Sequence, residues 1–368
     1  MRTTYVLTCL FGLLAANEYG QTANPPGTVL VKTAFGGSIL GYDVDQNGSE
    51  GLLSEGRLVS GGKVDIAVET FDQTTGAILN IVARQMNTHN NFATLGIFGN
   101  SIGLVELEKS KGIFVNQRLY GTLNPLSANR FTGQWTPPLA NGDVITSMAY
   151  SQGSLNTAVL ASHSLGSFVF GSNVAANTFG PLVTLTNPVL GSNNSPVIAI
   201  DTKTNQAVVA ASVGAPRDRP AIALVDLTTG NVIEFMGMGA GFVNGIAVDS
   251  EDGIACTSTQ IDFALELYDL AAQTGFRVPL HNAINQAQSG TYVQFDAVNR
   301  LFLVEQELSS TAPSGSSIQV FDTHGHFIEA IDGLSLPADP SLIALNPSQR
   351  TGYVIVAPAL SQLQSFKY

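Results

Sequence analysis

In the second half of the chain, short apolar runs alternate with polar turns in a fixed order. "SPVIAIDTKTNQAVVAASV", "FVNGIAVDSEDGIACTSTQ", "GTYVQFDAVNRLFLVEQ" and "PSLIALNPSQRTGYVIVAPA" share one shape. An apolar run closes on Asp or Asn, a polar turn follows, and a second run of small and β-branched residues leaves it. Runs of this length and composition, separated by Asp, Asn and Gly, predict strand–turn–strand units. Aligned on Asp201, Asp249, Asp296 and Asn346, the units repeat at spacings of 48, 47 and 50 residues. A second phrase follows each of the first three, ending its first run at Asp226, Asp269 and Asp322: "AIALVDLTTGNVIEFMG", "ALELYDLAAQTGFRVPL" and "SIQVFDTHGHFIEAIDG". Each unit therefore holds four strands, A to D, in two hairpins.

A repeat of this period with four antiparallel strands predicts a propeller blade, because one such sheet cannot cover both of its own apolar faces. The expected fold is all-β, a single β-propeller with four antiparallel strands per blade and seven blades, six being the alternative. Earlier in the chain the pattern is less regular. "VDIAVETFDQTTGAILNIVARQ" reads as an A–B hairpin and "IGLVELEKSKGIFVNQRLYG" as its C–D partner. "DVITSMAYSQGSLNTAVLASHS" and "GSFVFGSNVAANTFGPLVTL" read as a further A–B and C–D pair, and "TLNPLSANRFTGQWTPPLANG" as a loop insertion carrying Trp135. "GTVLVKTAFGGSILGYDVDQNGSEGLLSEGRLVSG" reads as strands B, C and D with no A before them, while the C-terminus supplies A, B and C. The two ends are thus expected side by side in a shared closing blade.

The N-terminus changes the domain reading. Tyr5 to Ala16 is an apolar run behind Arg2, of signal-peptide length and too short to span a bilayer. Residues 1–23 are expected to be a signal peptide and 24–368 a single propeller domain, secreted or periplasmic. Only 12% of the 368 residues are charged, and the net charge is −12. With no basic run, a nucleic-acid surface and binding to an anionic membrane are both disfavoured, and no membrane insertion is expected. Of the two cysteines, Cys9 falls in the leader and Cys256 in an apolar strand, so no disulfide framework is expected. Asn47 and Asn193 head glycosylation sequons.

"DVDQNGSEGLLSE" nearly spells a calcium loop, with Asp43, Asp45, Asn47 and Gly48 in place. Ser54 stands where the bidentate Glu belongs, so a C–D hairpin turn is expected and no metal or other cofactor. The pair His324 and His326 is expected in an exposed C–D turn. No G-x-S-x-G, H-E-x-x-H, P-loop or Rossmann fingerprint occurs.

Propeller topology puts the B–C and D–A loops at one end of the central channel. His89, His163, Arg217, Asp262 and Glu307 are expected there on B–C loops, with Asp65, Asn244 and Asp339 on D–A loops. In an enzyme, His89, His163, Arg217 and Glu307 are the catalytic candidates: imidazole to move a proton, guanidinium to hold an anion. Asp65, Asn244, Asp262 and Asp339 are the ligand-binding candidates.

"NGIAVDSEDGIACTST" resembles the NHL-type repeat and "PSLIALNPSQRTGYVIVA" the YVTN-type repeat. The opening "VLVKTAFGGSILGYDVDQNGSEGLLSEGRLV" resembles the first blade of lactonase-like propellers, which include phosphogluconolactonases and muconate cycloisomerases. That resemblance implies the same fold and a channel-mouth site for a small anionic substrate. Three functions therefore compete, one of them a calcium-stabilised structural repeat protein of the envelope. Another is a monomeric, secreted, non-enzymatic propeller that binds a protein, glycan or small ligand on its loop face. The third is a lactone hydrolase or cycloisomerase.

Overall fold

The computed structural model describes residues 28–368, except for 47, 60–62, 89–92, 99–101, 111–113, 123–132, 136, 141–143, 151–155, 164–165, 174–175, 186–196, 214–218, 239–242, 260–263, 282–289, 307–315, 335–341 and 357–359. The expected leader, Cys9 and both sequon asparagines lie outside the described residues.

The chain is an all-β propeller. Six antiparallel sheets follow one another along it, each from one continuous stretch. Blade I holds Ser38–Val44, Glu50–Val59, Lys63–Asp72 and Ile78–Thr88 as strands A to D. Blade II holds Ala93–Phe98, Ile102–Ser110, Phe114–Thr122 and Gly133–Gln134. Blade III holds Val144–Tyr150, Asn156–His163 and Gly166–Asn173, with Thr178–Phe179 and Val183–Leu185 sharing its outer edge. Blade IV holds Val197–Asp201, Gln206–Val213, Arg219–Asp226 and Val232–Met236. Blade V holds Val243–Asp249, Ile254–Thr259, Ala264–Asp269 and Thr274–Pro279. Blade VI holds Gly290–Asp296, Leu301–Gln306, Ser316–Asp322 and Phe327–Leu334. The A strands of successive blades stand side by side around the channel.

The ring closes through a composite sheet. Ala344–Asn346, Thr351–Ile355 and Gln362–Lys367 supply its A, B and C strands, and Leu30–Lys32 from the other end of the chain supplies D. Val31 lies opposite Leu363, and Thr33 N–H donates to the Ser361 carbonyl at 3.1 Å. The expected count of seven is corrected in one respect. Six blades are continuous repeats, and the further four-stranded sheet is assembled from both chain ends.

The strand phase of the first half also needs correcting. "SILGYDV" is the A strand of blade I and "KVDIAVETFD" its C strand, so the expected B–C–D opening is displaced. "IGLVELEKSKGIFVNQRLYG" forms a B–C hairpin, not C–D. The reason is physical. A–B and C–D turns use the same device, in which an acid ending the strand accepts backbone N–H groups two and three residues on. Asp296 does this for Val298 and Asn299 on an A–B turn, and Asp226 for Thr228 and Thr229 on a C–D turn. The turns then exit through a left-handed residue, Arg300 or Gly230. Two hairpins with identical turn chemistry cannot be told apart by their turns.

Cores lie between sheets. Leu160 and Val169 of blade III pack with Val209 and Ala223 of blade IV. Cys256 and Leu267 of blade V pack with Phe302 and Phe321 of blade VI, and burial pushes the Cys256 thiol up. Val31 and Leu363 of the closing sheet pack with Tyr42, Leu53 and Phe71 of blade I. Trp135 lies outside the strands, just after Gly133–Gln134, and is buried beside the outer edge of blade III, where its Nε1–H donates to Ser172 Oγ at 2.7 Å. The one helix among the described residues is a single 3-10 turn, Pro347–Gln349.

Removal of residues 361–368 takes away the strand that joins the two chain ends, together with buried Leu363, Phe366 and Tyr368. This truncation is expected to cost more than about 5 kcal/mol and to lower the melting temperature sharply. An unchanged melting temperature would contradict closure by the chain ends.

Candidate functional site

The central channel and its A–B end form the best-connected polar region. Among the described residues, the A–B turns of blades IV to VI and of the closing sheet are tied to their neighbours. Thr202 N–H donates to Ser250 Oγ at 2.9 Å, and Lys203 Nζ to the Glu251 carbonyl at 2.7 Å. Arg300 reaches back to Asp249 and Asp252, and Asn299 Nδ2 reaches forward to the Pro347 carbonyl at 3.2 Å. Asn346 Nδ2 donates to Gln73 Oε1 at 2.7 Å, which carries the chain of contacts across the closing seam to blade I. These contacts follow from the repeat, since turns 47–50 residues apart come to rest side by side.

Inside this belt lies a cavity of about 470 Å³. Asp43, Gln46, Tyr150, Thr202, Asp249, Ser250, Glu251, Tyr292 and Gln294 supply its polar wall, and Met148, Ile198, Ile246, Phe295 and Ile343 part of its apolar wall. No Lys, Arg or His is among the described residues lining it. Asp43 Oδ1 accepts its neighbour's N–H, from Val44, at 2.8 Å, and Oδ2 accepts the Tyr150 hydroxyl. Asp249 Oδ1 accepts Glu251 N–H at 3.0 Å, and Oδ2 takes Arg300. Burial first, then the Asp43 charge, pushes the hydroxyl pKa values of Tyr150 and Tyr292 up, so both phenols stay protonated.

Of the eight residues expected at the channel mouth, three are described. His89, Arg217, Asp262, Glu307 and Asp339 lie outside the described residues. His163 is the last residue of the blade III B strand, its backbone opposite Gly166. Asp65 stands within the C strand of blade I rather than on a D–A loop, buried and paired with Arg57 Nη2 at 3.1 Å. Asn244 sits in the blade V A strand, at the register shift between Val243 and Gly245. The 43–55 loop is an A–B hairpin, not the expected C–D turn. His324 and His326 occupy the expected C–D turn, where Asp322 accepts both backbone N–H groups and His326 Nδ1 lies 2.8 Å from its Oδ2.

A set of buried polar side chains on the C strands was not among the sequence candidates. Glu69, Glu266 and Gln319 occupy one position, three residues before the terminal Asp. Glu69 accepts Ala34 N–H at 3.1 Å, while Glu55 on the adjacent strand accepts Phe35 and Gly37 N–H at 2.9 and 2.8 Å. A Cβ on Gly37 would sit 2.8 Å from the Gly56 carbonyl, so glycine is required there. Gln319 holds the His281 backbone through both N–H and carbonyl at 2.9 and 2.8 Å. In blade V, Tyr268 binds the Met238 backbone and donates to Glu266. Each clasp fixes the D–A loop arriving from the preceding sheet. The signal in the sequence was a lone Glu or Gln at an otherwise apolar strand position.

Burial, and then the neighbouring Glu55, raises the Glu69 carboxyl to about 8; burial raises Glu266 to about 7.

No protein-family model matches the chain, and no curated protein matches it by sequence. Many solved structures match it in fold. A structure of U3-55K superposes with a TM-score of 0.63 at 12% identity, covering 93% of this chain and 98% of that one. A chain of the mitotic checkpoint complex gives 0.60 at 12% identity, covering 96% and 97%. What they share is the propeller fold. At this identity the likeness carries nothing about activity, and the narrower lactonase-like resemblance finds no support in family or sequence matches.

The clasp acids predict a pH dependence. Both are raised above their unfolded values, so the folded state binds more protons than the unfolded state between about pH 4.5 and 8. Stability is then fullest at the acid end of that window and falls as pH rises through it. Glu69→Gln, the residue type Gln319 supplies in blade VI, should flatten part of that slope. A urea midpoint as high at pH 8 as at pH 5 in the wild type would contradict this.

Proposed function

We propose that this chain is an exported, non-enzymatic propeller that binds its ligand in the central channel. The observation that carries the reading is the use made of the channel carboxylates. Asp43 is engaged by Val44 N–H and the Tyr150 hydroxyl, and Asp249 by Arg300 and Glu251 N–H. Each fixes an A strand or a turn, and among the described residues of the cavity wall there is no histidine or cysteine. A general base must reach the proton it removes, and these acids are already committed to positioning the fold. What remains is a preformed pocket with an apolar floor and a few polar groups, the usual build of a small-ligand site. The apolar run from Tyr5 to Ala16 motivates export.

The reading is tested by offering a panel of aldonolactones and muconate-like acids to the purified protein. No turnover above the uncatalysed rate is expected. Turnover that disappears in His163→Ala would replace the binding reading with the hydrolase or cycloisomerase one.

A further inference from the structure

We propose that the A–B end of the channel binds a neutral, polyhydroxylated ligand, a sugar residue in chemical terms, through Gln46, Gln294 and Tyr292. This rests on the binding reading above and names the ligand class. Gln46 is only 8% exposed and lines the cavity. Gln294 and the Tyr292 hydroxyl line it too, and among the described residues no side-chain hydrogen bond engages these three groups. Gln294 and Tyr292 are half-buried, so the three groups offer the cavity hydrogen-bonding capacity that a ligand can take up.

Their chemistry selects the ligand. An amide offers one acceptor oxygen and two N–H donors, and a protonated phenol both donates and accepts. Hydroxyl groups, which also do both, match that mixture. An anion is disfavoured because the described lining carries Asp43, Asp249 and Glu251 and no cation, while Arg300 and Lys203 are already paired with Asp249 and Glu251. A cation is not called for either, because Asp43 and Asp249 already hold protein donors on both oxygens. The apolar wall and the two tyrosine rings suit the C–H face of a pyranose. The volume, about 470 Å³, falls in the range of roughly 300–1,000 Å³ typical of small-ligand sites.

The test is titration calorimetry on the intact protein with neutral hexoses, N-acetylhexosamines and disaccharides, with glucuronate and spermidine as charged comparators. At least one neutral saccharide is expected to bind more tightly than either comparator. Gln46→Ala and Gln294→Leu are each expected to weaken it about tenfold, as for loss of one well-made hydrogen bond. Should a glutamine variant fail to fold, Tyr292→Phe removes only the hydroxyl and carries the same expectation. Absence of neutral saccharide binding to the folded wild type overturns the proposal, as does tighter binding of spermidine or glucuronate. A saccharide that binds equally to the folded variants overturns this site but leaves the protein a binding module. Turnover of a lactone would instead sink the binding reading itself.

Discussion

The structure depends on one constraint: each sheet has two apolar faces and can cover neither alone. Val208 and Ile222 of blade IV look toward Tyr268 of blade V, while Val209 and Ala223 of the same blade look back toward blade III. Strand alternation sends successive side chains to opposite faces, so every sheet needs a neighbour on each side. A linear stack would leave two faces wet. Only a ring leaves none, and the ring is complete only when Leu30–Lys32 joins the C-terminal strands and Val31, Leu363 and Tyr42 share a core.

Closure in turn explains the polar features. Once the sheets are arranged radially, the D–A loops must cross from one sheet to the next, and buried C-strand groups hold them: Glu69 with Glu55, Tyr268 with Glu266, and Gln319. The A–B turns meet at the other end and lock through Arg300, Lys203 and Asn346. The channel between those turns is therefore a by-product of packing that the chain lines with amides and phenols. Asp43 and Asp249 are tied into that frame by Val44, Tyr150, Glu251 and Arg300.

Much of the fold was legible in the sequence because the repeat is regular where packing demands it. The spacing of Asp201, Asp249, Asp296 and Asn346 located the A–B turns, since an acid that accepts turn N–H groups is a local requirement any reader can see. The same local chemistry at Asp72 and Asp226 hid the phase of the first blade, because identical turns serve both hairpins. The site was less legible. Gln46 and Gln294 are unremarkable in sequence, and they meet at one cavity only because an A–B turn and an A strand far apart in the chain converge. The scarce His and Arg of the B–C loops fall largely outside the described residues, so residue type alone speaks for them.

The central claim is that the two chain ends make the ring one cooperative unit. Native-state hydrogen exchange at the Val31 and Thr33 amides tests it most directly, compared with Val208 and Leu224 in the middle of blade IV. If the closing strand is integral, its amides exchange only through global opening, with the same free energy as those of blade IV. Fast exchange at Val31 and Thr33 while blade IV stays protected would mean that the ring stands without its seam.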